Sequence, residues 1–369
     1  MIEASDPQPP AGADLRELTA WFVEQQAEAS ARLGSLLYAA LMRHAAQDVR
    51  AGGVTWRVLA PHASADRGSA LTLRFLAAVH RLVLQGRAPA LAASYPSAGG
   101  SGDVEGAWQA FHATLEEHEA ELVEVVGWSC QTNEVGRAAG LVCGFLRAVA
   151  RTGVPRLRLL ELGASAGLQL RWDHFRYEWD EHPDTHHWGP PDSPVVLSGH
   201  WDPPAELLAQ RVEVVERRGC DPDPVDVTTE EGRLRLRQSV WADQPERFAR
   251  LNGALELAAR IPAEVERARA VDWVPAALAG RVPGTLTVLY HSVVWQYLEP
   301  GERDEVRDAI HRAGARATAD APLAWVRSEP ENILRAMRVR LTLWPGGQEE
   351  LVAKAAAHGL PVRWQTVRA

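Results

Sequence analysis

The segment Glu161-Leu162-Gly163-Ala164-Ser165-Ala166-Gly167 has the residue types of a ligand-cradling turn. An apolar run ends in an acid, tiny residues come next, and a helical pattern begins. Tiny residues let a ligand approach the backbone, and a helix start offers free N–H groups. A dinucleotide fingerprint needs G-x-G-x-x-G. Counted from Gly163, its later glycines fall on Ser165 and Leu168, so the fit is poor. A phosphate loop needs G-K-[ST], which is absent. A serine-hydrolase elbow needs G-x-S-x-G, and Gly163 to Gly167 satisfies it. Ser165 would be the nucleophile, with Asp272 and either His291 or His358 following in the correct chain order. Against this stand the mostly helical residues 13–150 that come first, and the lack of an HGGG-type oxyanion segment.

Other residues invite chemistry. His291 and Ser292 fall where a strand should end, and ligands gather beyond strand ends in open parallel sheets. His291 is therefore a candidate acid or base, with Tyr290, Trp295 and Tyr297 as an aromatic wall. Gln131-Thr132-Asn133-Glu134 precedes the helix that feeds the first strand. Thr132 or Asn133 can cap it, and Glu134 can pair with Arg137. Alternatively, Gln131, Asn133, Glu134 and Arg137 contact a ligand between two lobes, with Glu134 as a second candidate base. Tyr95-Pro96-Ser97 and Gly99-Gly100 read as a polar loop able to cover a pocket. Asp180, His182, Asp184, His186, His187 and His200 lie in a Pro-rich stretch without helical spacing or HExxH, so a solvated loop is expected and no metal site.

These groups need a scaffold. The 369 residues exceed the usual single core of roughly 250, so two lobes or one enlarged domain are expected. Hydrophobic residues at 46% and charged residues at 24% exclude global disorder and a coiled-coil rod. No apolar run reaches about 18 residues, so no membrane helix is expected. MIEASDPQPPAGADL has no basic region followed by an apolar one, so no secretory signal is expected. A net charge of −9 excludes a basic nucleic-acid footprint and leaves a small-molecule partner. Cys130, Cys143 and Cys220 lack CxxC spacing, which disfavours a disulfide framework or zinc ribbon and fits a reducing cytoplasm. The single lysine, Lys354, lies in an alanine-rich stretch that reads as helix, so Schiff-base and phosphate-loop chemistry are disfavoured. The 14 tryptophans should be mostly core, with several lining a pocket.

Residues 1–12 read as a disordered leader and 13–150 as a helical lobe. Helical spacing covers the stretch from Leu15 to Gly52, then about 69–86, Trp108 to Val125, and Val135 to Gly153. From Val154 onward, strands alternate with helices. Strands are expected at 211–220, 264–271, 284–292, 322–328, 338–344 and 361–367, and helices at 245–260, 301–314 and 347–358. That alternation predicts an α/β fold with a mostly parallel sheet of six or seven strands over 151–369. Residues 171–204 interrupt it as an inserted hairpin or lid.

The turn also resembles motif I of the Rossmann-like class I methyltransferases, E/D-x-G-x-G-x-G. Glu161, Gly163 and Gly167 match, and Ser165 replaces the middle glycine. Arg218-Gly219-Cys220-Asp221 resembles that family's second strand with its acidic tip, Ala270-Val271-Asp272-Trp273 its third, and LTVLYHSVVWQYLEPGERDEV its fourth strand and following helix. The resemblance implies S-adenosylmethionine as cofactor and an unidentified small molecule as methyl acceptor. Glu161, Gly163, Ala164, Ser165 and Gly167 would hold the methionine end. Asp221, or its competitor Asp226, would hold the ribose, and Asp272 with Trp273 the adenine. His291 or Glu134 would deprotonate the acceptor, and Tyr95, Gln131, Asn133, Arg137 and Ser292 would contact substrate or cofactor. A binding module without catalysis is the other outcome that this resemblance leaves open.

Over about residues 20–365 the chain also resembles a bacterial family of uncharacterised proteins, domain of unknown function 2332. The resemblance rests on HRLVLQGRAPALAASYPSAGG, QTNEVGRAAGL, LLELGASAGLQL, CDPDPVDV, YHSVVWQYL, WPGG and AAHG. It implies no established activity.

Overall fold

The computed structural model describes residues 8–64, 70–129, 131–330 and 336–365. Residues 1–7 of the expected leader, Ser69, Cys130 and residues 366–367 of the last expected strand lie outside the described residues. The chain divides into two compact units. One runs to Thr132 and takes in Leu234–Phe248; the other holds Asn133–Arg233 and everything from Ala249.

The first unit is helical. Its helices are α1 (Leu15–Arg32), α2 (Leu36–Ala51), α3 (Val54–Leu59), α4 (Leu71–Leu84), α5 (Pro89–Ala92), α6 (Ala107–Glu117) and α7 (Glu119–Val126). The long stretch read from Leu15 to Gly52 breaks at Leu33-Gly34-Ser35 into α1 and α2. Asp14 caps α1, its Oδ1 accepting the Glu17 N–H at 2.8 Å. Asp243 caps α2, accepting the Leu37 N–H at 3.0 Å and the Ser35 hydroxyl at 2.6 Å. Gly52, left-handed at φ 72°, ends α2. The core packs Leu37, Leu41, Phe75, Leu82, Phe111 and Leu122. Each fully buried leucine or phenylalanine contributes roughly 1.5–3 kcal/mol.

The second unit is mixed α/β. In chain order its elements begin with α8 (Ala138–Thr152), β1 (Arg156–Leu162), β2 (Arg176–Trp179), β3 (His187–Trp188), β4 (Val196–Gly199), α9 (Ala205–Leu208) and β5 (Glu213–Asp221). Then come α10 (Glu230–Arg237), α11 (Pro245–Arg260), β6 (Glu264–Arg267), α12 (Ala270–Ala277), β7 (Leu286–Ser292), α13 (Pro300–Gly314), β8 (Leu323–Pro330), β9 (Met337–Trp344), β10 (Gln348–Ala356) and β11 (Gly359–Trp364). The end of α10 and the start of α11 count with the helical unit.

Eight strands form one sheet in the order β11-β10-β9-β8-β7-β1-β5-β6. The strands β6, β5, β1, β7 and β8 are parallel to their neighbours. The last three form an antiparallel meander. After β1 the chain proceeds to β5 and β6 on one side, then to β7 and β8 on the other, so the order reverses at the β1–β7 boundary. α12 and α13 bury Trp273, Val274, Val306 and Ile310 with Leu160, Leu162, Leu289 and Trp325 of the sheet.

Three expectations are corrected. The stretch 347–358 is not a helix but strand β10, so Lys354 sits on a strand. Its alanines suit a helix by propensity. Pairing with β9 prevails, and small residues are needed because α8 lies close: a β-carbon on Gly140 would be 3.3 Å from that of Ala355. The same closeness assigns α8, read as part of the helical lobe, to the sheet unit, since a β-carbon on Gly144 would meet Val326 at 2.5 Å. The strand read to residue 271 ends at Arg267, where α12 follows. Residues 171–204 hold a small sheet of their own, in the order β3-β2-β4.

Candidate functional site

The site is built at the carboxyl ends of β1, β5 and β7. β1 ends at Leu162 and leads into the turn 163–167. Gly163 and Gly167 are left-handed, at φ 63° and 66°, and so is Ser165, at φ 52°. A non-glycine residue in that region is strained, and such residues gather where structure is over-determined. Val293, just past β7, is a second one, at φ 58°.

The turn's N–H groups are largely taken by the protein. Ala164 donates to the Cys220 carbonyl at 3.0 Å and Gly167 to the Ala164 carbonyl at 2.7 Å. Ser165 N–H donates to Asp221 Oδ2 at 2.9 Å, while Asp221 Oδ1 accepts the Asp223 N–H at 2.9 Å. Leu168 N–H donates to Asn133 Oδ1 at 3.0 Å. The turn runs into a seven-residue 3-10 helix, Leu168–His174, kinked at Arg171, rather than the expected α-helix. A tighter helix capped by Asn133 offers little macrodipole to an anion.

Glu161 is buried and accepts the Tyr290 hydroxyl at 3.2 Å. Burial pushes its carboxyl well above the usual range, against the pull of Tyr290 and of the Arg171 guanidinium. Burial lowers Arg171 in turn to about 10. Its Nη1 donates to the Gly167 carbonyl at 2.6 Å, and its Nε to that of Ile261 at 2.8 Å.

His291, fully buried at 0% exposure, lies at the end of β7. Its Nδ1 is 2.6 Å from Glu329 Oε1, which also accepts the Val294 N–H at 3.0 Å. A carboxylate only accepts, so Nδ1 carries the proton. The ring stacks on Trp295 at 5.1 Å. His291 Nε2, Ser292 Oγ and the Gln169 Oε1 atom are buried without a hydrogen-bond partner. Such orphans cost about 1–3 kcal/mol each and mark places for a ligand or water.

The structure thus brings together Glu161, the 163–167 turn, Asn133, Asp221, Tyr290 and, at the adjacent strand end, His291 and Ser292. Asp221 is the buried tip of β5, whereas Asp226 is exposed and closes a local turn by accepting from Thr228. Glu134 caps the 3-10 turn Val135–Arg137, accepting the Gly136 N–H at 3.0 Å, and its carbonyl accepts Gln169 Nε2 at 2.7 Å. Arg137 donates to the Ala357 carbonyl at 3.2 Å. These contacts give 131–141 and the AAHG turn a structural reason. A β-carbon on Gly359 would fall 1.8 Å from the Gly136 carbonyl.

Other candidates lie apart. Asp272 is not at a strand tip; it is exposed in the first turn of α12. Trp273 is buried and donates its indole N–H to Glu266 at 2.7 Å. Sequence reasoning misses Glu266 and Glu329 because each meets its partner, Trp273 or His291, only in the folded unit, and Glu329 lies just past the expected strand end at 328. Of the elbow partners, His291 is held by Glu329 rather than by Asp272, and His358 sits in the β10–β11 turn. Tyr95 and Gln131 belong to the helical unit, and Tyr95 is fully buried in its core rather than lining a loop. Cys143 and Cys220 are buried free thiols, held protonated by burial, Cys220 at about 12. Among the described residues no group of three His, Cys, Asp or Glu side chains is arranged to hold a metal. His182, His186 and His200 instead pack edge-on around Trp179. No helix among the described residues is long and apolar enough to cross a membrane.

The chain belongs to the family described as an uncharacterized protein conserved in bacteria, DUF2332, whose model matches residues 21–364. No curated protein and no solved structure matches it.

Proposed function

We propose that the protein is an S-adenosylmethionine-dependent methyltransferase acting on a small molecule. The observation that carries this reading is the reversal of strand order at β1. The glycine turn of β1 and the buried carboxylate at the tip of β5 lie side by side there, tied by the Ser165–Asp221 hydrogen bond. In open α/β sheets ligands bind outside the strand ends at such a switch point. A Rossmann-like methyltransferase domain has this arrangement of five parallel strands, and the antiparallel meander after β8 would be an elaboration of it.

The residues present suit the group. Asp221 still has acceptor lone pairs for a pair of ribose hydroxyls, because each oxygen holds one N–H. Gly163 and Gly167 are left-handed, with Val294 and Val265 packed where their β-carbons would be, which fixes the shape of the turn. His291 Nε2 and Ser292 Oγ are unused polar atoms at the adjacent strand end. When bound, the cofactor would supply a sulfonium methyl, which an acceptor lone pair would attack in line as the S–CH3 bond breaks and the thioether S-adenosylhomocysteine leaves with that electron pair. The chain's task is positioning, plus one proton. Glu329 holds the Nδ1–H of His291, which leaves Nε2 as the base for the acceptor's proton. Burial of His291 excludes bulk water from that transfer.

Calorimetric titration with S-adenosylmethionine and S-adenosylhomocysteine tests the reading, alongside Asp221→Asn. Binding in the wild type that weakens at least about tenfold in a folded variant supports it. No binding of either ligand to folded protein overturns it. Binding without turnover on any acceptor would favour a non-catalytic module on the same fold.

A further inference from the structure

The helical unit holds a second constellation, independent of the strand-end site. His80, on α4, is fully buried. Its Nε2 is 2.7 Å from Ser97 Oγ, and its Nδ1 is 3.2 Å from the Gln238 carbonyl oxygen. A carbonyl oxygen can only accept, so Nδ1 must carry the proton. Nε2 is then the acceptor, and the Ser97 hydroxyl donates to it. This is the direction of proton flow that a nucleophile needs.

The geometry is fixed from several sides. Ser97 lies in the 3-10 turn Pro96–Ala98, and its N–H donates to the Ala242 carbonyl at 2.9 Å. Ala98 and Gly100 both donate to the Tyr95 carbonyl, at 2.9 Å, and Ser101 to that of Ala93 at 2.8 Å. A β-carbon on Gly100 would fall 2.3 Å from the Ala92 carbonyl, so only glycine closes the loop there. Arg81 donates to the Gln238 side chain at 3.2 Å, which steadies the residue that orients His80. Ser97 itself is only half-buried, and Ala98 and Gly99 beside it are exposed. The turn that carries Ser97 thus lies at the surface of the helical unit, while His80 is fully buried beneath it. Tyr95 packs edge-on against His80 at 5.7 Å, and its hydroxyl is buried without a partner, an unused donor in the same cluster.

We propose that Ser97 is a nucleophile, with His80 as its general base, that cleaves carboxylic esters. The Ser97 oxygen bonds to the ester carbonyl carbon as its proton passes to His80 Nε2. The carbon–alkoxide bond then breaks, and the alcohol leaves with that proton. Water, the second reactant, gives a proton to Nε2 and its hydroxyl to the acyl carbon. The acyl–Ser97 bond breaks, the carboxylic acid departs, and the serine regains its proton. The Gln238 carbonyl stands where a carboxylate orients histidine in a catalytic triad. Burial separately lowers the His80 pKa to about 4, so the imidazole is neutral and able to accept throughout the physiological range.

The test uses the full chain and a tagged fluorophosphonate, followed by digestion and mass-spectrometric mapping of the labelled serine. The expected label is on Ser97. Its rate should be level between about pH 5 and 8 and fall about tenfold per unit below about pH 4. His80→Gln should slow labelling at least about tenfold, with Ser94→Ala, in the same loop, labelling like the wild type. Hydrolysis of p-nitrophenyl acetate should be lost with Ser97→Ala. If His80→Gln does not fold, the wild-type pH profile decides. A folded protein that leaves Ser97 unlabelled overturns the proposal, and so does a labelling rate that climbs tenfold per pH unit across neutrality, as for an unassisted hydroxyl. Cofactor titration and serine labelling read different units, so either can fail alone.

Discussion

Val294 occupies the space that a β-carbon on Gly163 would need. The distance would be 2.4 Å to Val294 Cγ2, at a glycine already left-handed at φ 63°. The turn after β1 and the segment after β7 are therefore fitted to each other across the point where strand order reverses. Gly163→Ala should cost about 2–5 kcal/mol, combining left-handed strain of about 1–2 with overpacking of about 1–3. In a Val294→Ala background the overpacking part should vanish, leaving about 1–2 kcal/mol. A double-mutant cycle read by denaturant unfolding measures this coupling. Simple additivity would show that the two segments are not in register as described.

The elements around that turn were legible for a physical reason. RLRLLEL, between Pro155 and the small residues of the turn, carries leucines at four of its seven positions, and GTLTVLYHS is rich in Leu, Val, Thr and Tyr, so β1 and β7 announce themselves. Helices such as α8, α11 and α13 carry clear periodicity. The sequence misleads where tertiary pairing outweighs propensity. The alanine-rich VAKAAAH hides β10, because alanine there serves close approach to α8. The site was half legible. Glycine spacing pointed to 163–167, and strand-tip position pointed to Asp221 and His291. Glu329 gave no signal, because it meets His291 only through β7–β8 pairing. Ser97 and His80 stand close in sequence, but the Gln238 carbonyl that sets the imidazole tautomer is distant in the chain.

Glu161 makes the sheet unit sensitive to alkaline conditions. Burial raises its folded pKa well above the ordinary value of 4.5, so the folded state binds its proton more tightly than the unfolded one does. Stability from this group is full below about pH 4.5 and is lost as pH rises toward the folded pKa. Glu161→Gln keeps the shape without the ionisation. The variant should match the wild type near pH 4 and exceed it increasingly above about pH 5. Urea unfolding at half-unit pH intervals checks this. A gap that shrinks with rising pH would mean the carboxylate is stabilised in place.

Glu329 is a positioning residue for His291 under the methyltransferase reading. Its Oε1 accepts both the imidazole Nδ1–H and the Val294 N–H. Glu329→Ala should lower kcat by about 10²–10³ while the dissociation constant for S-adenosylhomocysteine moves less than about threefold. Glu329→Gln, which retains an acceptor, should recover part of the rate. The nitrogen chemical shifts of His291 should show the Nδ1–H tautomer in the wild type and a mixture in the alanine variant. An unchanged tautomer with lost affinity would assign Glu329 to cofactor binding instead.

His80 sets the acid limit of the helical unit. Burial holds its folded pKa near about 4, against the ordinary 6.5. A base whose pKa is depressed on folding gives stability that is full above its unfolded value. As pH falls from about 6.5, the unfolded chain takes a proton that the folded chain refuses, and stability drains away until about pH 4, where both states are protonated. The 2.5-unit difference between those two values corresponds to about 3 kcal/mol. His80→Gln should remove that slope, so its stability relative to wild type should rise by about 3 kcal/mol between pH 7 and pH 4 even where the variant is weaker at neutrality. Parallel slopes for the two proteins would place the acid sensitivity elsewhere and show that the imidazole is hydrated in solution. That result would also withdraw the neutral, oriented base on which the reactivity of Ser97 depends.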